Sequence, residues 1–195
     1  MSYYLFSLEP NNTFSSADLL NRNETTIGNL SGTSDIDYYR VSVPIASELN
    51  ISFGAPDGGN SFINEWDVVL YNSSGEVINA RSLVENKGHI FSSYVQSGTY
   101  YIAVKQQNSY DLSSENYQIS YNVVYGNYNT GYEPNEDTSS NSQITLGEEI
   151  FGNLYATNDK DVYYFFLPSG RDTIKVDFVI GSSDGSNFTK EWDVV

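Results

Sequence analysis

The chain has no cysteine, one histidine, one methionine and five prolines in 195 residues. Without cysteine there is no disulfide framework and no thiolate chemistry, either at a metal or as a nucleophile. A lone histidine, His89, excludes a histidine-rich zinc site, and no serine sits in a nucleophile-elbow setting beside which it could act. Positive charge is scarce: 9 Lys and Arg face 25 Asp and Glu, a formal net charge of −16. That balance repels nucleic-acid phosphates and anionic lipid, so nucleic acid is not an expected partner. It suits a soluble, secreted or salt-tolerant protein, or one that collects divalent cations. No apolar run approaches the ~20 residues of a membrane-spanning helix, and the N-terminus lacks the charged-then-apolar order of a signal peptide. A secreted parent would carry its signal outside this sequence.

What the chain does have is alternation. Tyr39, Val41 and Val43 fall on one face of "DYYRVSVP", and Leu49, Ile51 and Phe53 on one face of "ELNISFG". Trp66, Val68 and Leu70 align in "EWDVVLY", and Tyr100, Ile102 and Val104 in "GTYYIAVKQ". Tyr117, Ile119, Tyr121, Val123 and Tyr125 align in "NYQISYNVVY". A period of two marks half-buried strands. "GAPDGGN", "NSSGE" and "ENKG" between them supply turn chemistry. Weaker strands near residues 25–30, 76–80 and 89–94 bring the count to about eight. The expectation is an all-β, antiparallel, jelly-roll-like sandwich, with one short helix at "SSADLL", residues 15–20.

The sequence also repeats. "EPNNTF" at residues 9–14 returns as "EPNEDT" at 133–138, an offset of 124. At that spacing Gly28-Asn29-Leu30 becomes Gly152-Asn153-Leu154, Tyr39 becomes Tyr163 and Pro44 becomes Pro168. "EWDVV" at 65–69 returns at 191–195, two residues later in register. A period of this length is a whole domain. The expected organisation is a first sandwich over residues 1–125, a linker over 126–132, and the N-terminal half of a second sandwich over 133–195. Strand edges exposed on that second unit would invite pairing between chains.

One constellation carries chemistry. Asp35 and Asp37 stand two apart at the start of an extended segment, so their carboxylates project the same way. If Glu9, Asn11 and Asn12 fold across that turn, hard oxygen ligands gather from two distant stretches, as a calcium ion requires. The second unit repeats the set as Glu133, Asn135, Glu136, Asp159 and Asp161. Taken one at a time, each element would more often be a turn than a ligand.

Glu-Pro-Asn followed by "GNLSGTSDIDYYRVSV", "WDVVLYNSSGEVI", "SGTYYIAV" and "YQISYNV" resembles the bacterial pre-peptidase C-terminal domain, a β-sandwich module appended to secreted peptidases and other exported proteins. The resemblance implies a non-catalytic accessory role and a secreted or cell-surface location. Through the related collagen-binding domains of bacterial collagenases, it implies calcium held by Glu9, Asn11, Asn12, Asp35 and Asp37 and by their partners 124 residues on. The chain departs from that pattern in having Asn12 and Glu136 where those domains carry an aspartate, and Ser7 and Gly131 where they carry a further acid. Fewer charges imply at most one ion per unit, bound in the millimolar-to-submillimolar range of extracellular modules. The collagen-contacting tyrosines would fall near Lys105 and Gln107, so collagen is not the implied ligand.

Trp66 and Trp192, in repeated strand positions, read as core, and Glu65 and Glu191 beside them as solvent-facing rather than as a glycosidase pair. Of the 17 tyrosines, Tyr71, Tyr101, Tyr110, Tyr128 and Tyr132 fall on outward faces or loops, where an extracellular protein or polysaccharide could lie. Two rival readings follow: a repeat segment of a surface adhesin or stalk, and a hydrolase built on the sandwich itself.

Overall fold

The protein is seen in a computed structural model that describes residues 5–54, 66–83, 89–106, 116–126, 128–131, 133, 135–139, 141–154, 158–170 and 173–179. Residues 5–125 contribute β1 (Leu5–Phe6), β2 (Asp18–Leu19), β3 (Thr25–Asn29), β4 (Ile36–Val43), β5 (Ser47–Gly54), β6 (Trp66–Asn72), β7 (Val77–Leu83), β8 (His89–Val95), β9 (Gly98–Gln106) and β10 (Asn116–Tyr125). They form two five-stranded sheets, in the orders β1-β3-β10-β5-β8 and β2-β4-β9-β6-β7. Without their first members these are the β3-β10-β5-β8 and β4-β9-β6-β7 layers of an eight-stranded jelly roll. Further on, β11 (Ser142–Gln143) and β12 (Tyr163–Tyr164) pair with each other.

The alternation places the core. Tyr39, Val41, Leu49, Ile51, Val68, Leu70, Ile102, Tyr117 and Ile119 are wholly enclosed between the sheets, and Trp66 lies among them. Tyr125, aligned with that face by its spacing, is instead exposed, because β10 runs past the edge of the core at its end. The sheets are mixed rather than purely antiparallel. The chain switches sheets between each of its first strands and reverses each time, so β1 meets β3, and β2 meets β4, in parallel.

The helix expected at residues 15–20 does not form. A single 3-10 turn, Phe14–Ser16, is capped by Thr13, whose Oγ1 accepts the Ser16 amide at 3.3 Å while Ser16 Oγ accepts the Thr13 amide at 3.1 Å. Ala17 then turns to extended backbone at ψ 131°, and Asp18–Leu19 pair with β4. Burial of the Leu20 side chain in the core and of its amide against the Arg40 carbonyl outweighs a one-turn helical preference.

Phe14 also alters the tyrosine face. It stacks on Tyr101 at 4.4 Å between ring centroids with 7° between planes, and meets Tyr38 and Tyr71 edge-on at 5.1 and 5.5 Å. Tyr71 and Tyr101 are therefore half-buried under a side chain of their own domain, not laid open as a platform. Tyr110, Tyr132, Trp192, Glu65 and Glu191, with the turns at 55–60 and 85–88, lie outside the described residues.

Candidate metal centre

The segment before the 3-10 turn crosses the start of β4. The Asn11 carbonyl accepts the Tyr38 amide at 3.0 Å, which draws the Asn11 side chain into complete burial. Asp35 closes a turn from Gly32, its amide bonded to the Gly32 carbonyl at 3.1 Å, and Asp37 follows inside β4 with its side chain wholly buried. Glu9, Asp35 and Asp37 thereby bring one oxygen each to a common point, all within 4.8 Å of one another.

Neighbouring groups hold these oxygens in place. Asp35 Oδ2 accepts the Ser31 amide at 2.6 Å and the Ser31 hydroxyl at 2.8 Å, and its Oδ1 accepts Asn12 Nδ2 at 3.0 Å. Asp37 Oδ2 accepts the Tyr117 hydroxyl, which is itself 2.7 Å from the Tyr39 hydroxyl. The Asn11 amide has two orientations that exchange oxygen and nitrogen. In one, its nitrogen donates to Asp37 Oδ1 at 3.1 Å and Glu9 Oε2 at 3.3 Å; in the other, its oxygen faces the same two carboxylates.

The charge gathered here is of one sign. Among the described residues, no Lys or Arg is ion-paired with Glu9, Asp35 or Asp37. Burial, opposed by the Tyr117 hydrogen bond and reinforced by the charges of Glu9 and Asp35, pushes the Asp37 carboxyl up to about 7. Like charges gathered in a poorly solvated spot raise the cost of ionisation unless a cation offsets them.

Much of this recurs 124 residues on. The Asn135 carbonyl accepts the Val162 amide at 2.8 Å, as Asn11 accepts Tyr38, and the Asn135 side chain is likewise wholly buried. Its amide faces Asp161 Oδ1 and Glu133 Oε2, both at 3.2 Å, with the same two orientations. The register of β11 on β12, Ser142 with Tyr163, repeats that of β2 on β4, Asp18 with Tyr39. Burial and the charges of Asp161, Asp159 and Glu136 push the Glu133 carboxyl up to about 8. Asp161 rises to about 6, through burial and then the nearby acids, against a hydrogen bond from Tyr163. The two sets are not identical: the Tyr163 hydroxyl reaches Asp161 Oδ2 directly at 2.9 Å, whereas Tyr39 acts through Tyr117. Asn12 and Glu136 are both exposed, and the three-carboxylate cluster within 4.8 Å is found, among the described residues, in the first set.

Residues 35–106 match the family model of the bacterial pre-peptidase C-terminal domain. This is a family of accessory domains of secreted proteases such as collagenase. The pre-peptidase C-terminal match opens on Asp35, takes in Asp37 and runs through β9, so the two aspartates lie inside it while Glu9 and Asn11 precede it. Among the curated proteins none matches the chain. Solved structures similar to it include the pre-peptidase C-terminal domain of collagenase from Bacillus anthracis, with 23% identity and a TM-score of 0.42 over 54% of this chain and 93% of that one. Another is PliG from Aeromonas hydrophila, a periplasmic inhibitor of g-type lysozyme, with 10% identity and a TM-score of 0.42 over 63% of this chain and 100% of that one. A third is the Yersinia pseudotuberculosis-derived mitogen, with 14% identity and a TM-score of 0.38 over 60% of this chain and 90% of that one.

Sequence reasoning missed the groups that hold the aspartates: Ser31, Tyr39, Tyr117 and Gly28. A Cβ at Gly28 would overlap the Tyr117 ring and hydroxyl and come within 2.5 Å of the Tyr39 hydroxyl, so only glycine admits the tyrosine pair. Gly152 has the same relation to Asp161 and Tyr163. The signal was present in the repeat, where Gly28 and Tyr39 recur with the acids.

Proposed function

We propose that the chain is a non-catalytic accessory segment of a larger secreted bacterial protein, a tandem of pre-peptidase C-terminal units. In this reading calcium stabilises each unit by clasping its N-terminal segment to the second strand of the jelly roll. The carrying observation is the convergence of Glu9, Asp35 and Asp37 with the buried Asn11 amide, with no cationic side chain among the described residues ion-paired to them. The donors fit calcium. They are hard oxygens, and oxygens placed 2.3–2.6 Å from one ion lie within roughly 5 Å of each other. Among the described residues Glu133 Oε1 is buried with no hydrogen-bond partner, which suits a ligand at the second set. Glu9, Asn11, Asp35 and Asp37 would hold the first ion and Glu133, Asn135, Asp159 and Asp161 the second. Asn12 orients Asp35 from outside, and Glu136 lends charge. Bound calcium supplies charge neutralisation and cross-linking, not reactivity. The exposed Ile174 and Val176 beyond β12 support a further role in strand pairing with another chain.

Isothermal titration of the full chain tests the metal reading. Two ions per chain are expected to bind with dissociation constants of about 10⁻⁴–10⁻³ M. Asp35→Asn/Asp37→Asn should leave one ion and Asp159→Asn/Asp161→Asn the other. Absence of saturable uptake up to about 10 mM calcium, an order above that range, would remove the proposal.

A further inference from the structure

In the first sheet β8 is a terminal strand, paired with β5 on one side. A terminal strand presents a row of backbone donors and acceptors that must be met by water, by cover or by another strand. Along β8, alternate residues direct these groups outward. At Ser92 the carbonyl accepts Asn79 Nδ2 from β7, at 3.1 Å. At Tyr94, the next outward position, both backbone groups go to one side chain from far along the sequence. Asn153 Oδ1 accepts the Tyr94 amide at 3.1 Å, and Asn153 Nδ2 donates to the Tyr94 carbonyl at 2.9 Å. A carboxamide offers the same donor and acceptor as a peptide group, so Asn153 extends the ladder by one residue without a strand.

The contact is wider than one amide. Gln96 Nε2 donates to the Thr130 carbonyl at 2.7 Å. The Tyr94 ring packs against Phe151 at 4.6 Å and Tyr128 at 5.1 Å between centroids, and those two meet edge-on at 5.1 Å. The groups that dock belong to a folded element rather than to loose chain. Thr130 bridges Phe151 in parallel, and the Gly131 amide donates to the Phe151 carbonyl at 2.9 Å. The first unit has the same pairs 124 residues earlier, Phe6 with Ile27 in the β1–β3 ladder and Ser7 to the Ile27 carbonyl at 2.8 Å. The leading edge of the second unit is what seats on β8.

We propose that this contact is a coupling surface between units: the open β8 edge of one unit is recognised by the leading edge of the next through the Asn153 amide and the Tyr94–Tyr128–Phe151 cluster. The two units are held in one orientation and β8 is closed to other strands. This rests on the tandem reading of the chain but not on calcium.

Hydrogen exchange and ¹⁵N relaxation on the full chain test it. In the unaltered protein the Tyr94 amide is protected, and residues 142–154 share the correlation time of β5. Asn153→Ala should speed exchange at Tyr94 about tenfold or more, the loss of a protecting bond worth about 1.4 kcal/mol, with the β5–β10 amides unchanged. Asn153→Asp keeps the acceptor for the Tyr94 amide but sets an oxygen against its carbonyl, and should let residues 142–154 tumble apart from β5. An unprotected Tyr94 amide in the parent, or unchanged exchange and tumbling in both variants, overturns the inference. Protection that persists in chelator upholds it whatever becomes of the metal reading, and loss of the contact while calcium still binds defeats it alone.

Discussion

Calcium at about a hundred times its dissociation constant is expected to raise the thermal midpoint of the chain by roughly 5–10 °C over that in chelator. The estimate comes from linkage. An ion that binds only the folded state at that excess adds about 2.7 kcal/mol, and each kcal/mol moves the midpoint of a chain this size by about 2–4 °C. The gain has a structural source. Residues 9–12 are held to β4 and the turn before it through few bonds, chiefly the Asn11 carbonyl with the Tyr38 amide and Asn12 with Asp35. Meanwhile Glu9, Asp35 and Asp37 repel across less than 4.8 Å. An ion would turn that repulsion into a cross-link. Magnesium, which demands near-octahedral geometry and sheds its waters reluctantly, should do much less. Asp35→Asn/Asp37→Asn should lose the response to calcium at the first unit and yet be no less stable than the parent in chelator, because it removes buried like charges. Differential scanning calorimetry of both proteins with calcium, magnesium and chelator decides the matter; equal midpoints for the parent in calcium and chelator would count against the linkage.

Gly28→Ala is expected to cost about 3 kcal/mol or more, at or beyond the upper end of ordinary overpacking. The added methyl would intrude on Tyr117 and Tyr39, both with no exposed surface, and neither ring can move without opening the core around Trp66 and Phe53. The same displacement would pull the Tyr117 hydroxyl from Asp37, so the variant should also bind calcium more weakly. Gly32→Ala is the control: a methyl there meets nothing within 4 Å, and the change should stay within about 0.5 kcal/mol. Urea unfolding followed by tryptophan fluorescence, with a calcium titration of each variant, makes the comparison. Equal stability of the two alanine variants would refute the packing described around Gly28.

The strands were legible because their signal is local. Tyr39, Val41 and Val43, or Leu49, Ile51 and Phe53, alternate with polar residues, and a period of two needs no knowledge of the partner strand. The parallel edges were hidden for the opposite reason: β1 and β2 are two residues each, too short for a period, and their direction depends on the chain switching sheets. "SSADLL" was misread because its fate is decided by a distant pocket for Leu20 and by the Arg40 carbonyl. At the site, the acids announced themselves through charge and repetition. Tyr117, contributed by β10 from 80 residues beyond Asp37, could not be placed there until the sheets were assembled. The outward tyrosines looked alike in sequence, and only the fold shows Phe14 lying over Tyr101.

The central claim is that Glu9, Asn11, Asp35 and Asp37 surround a cation, and the orientation of the Asn11 amide distinguishes its two possible states. The most direct measurement is a crystal structure of the full chain grown in calcium, with anomalous differences recorded. The account predicts one anomalous peak about 2.3–2.6 Å from oxygens of Glu9, Asp35 and Asp37, with the Asn11 oxygen turned toward it. A site without a peak, in which the Asn11 nitrogen donates to Asp37 and Glu9, would contradict it and leave the Glu-Pro-Asn segment as a turn locked by hydrogen bonds alone.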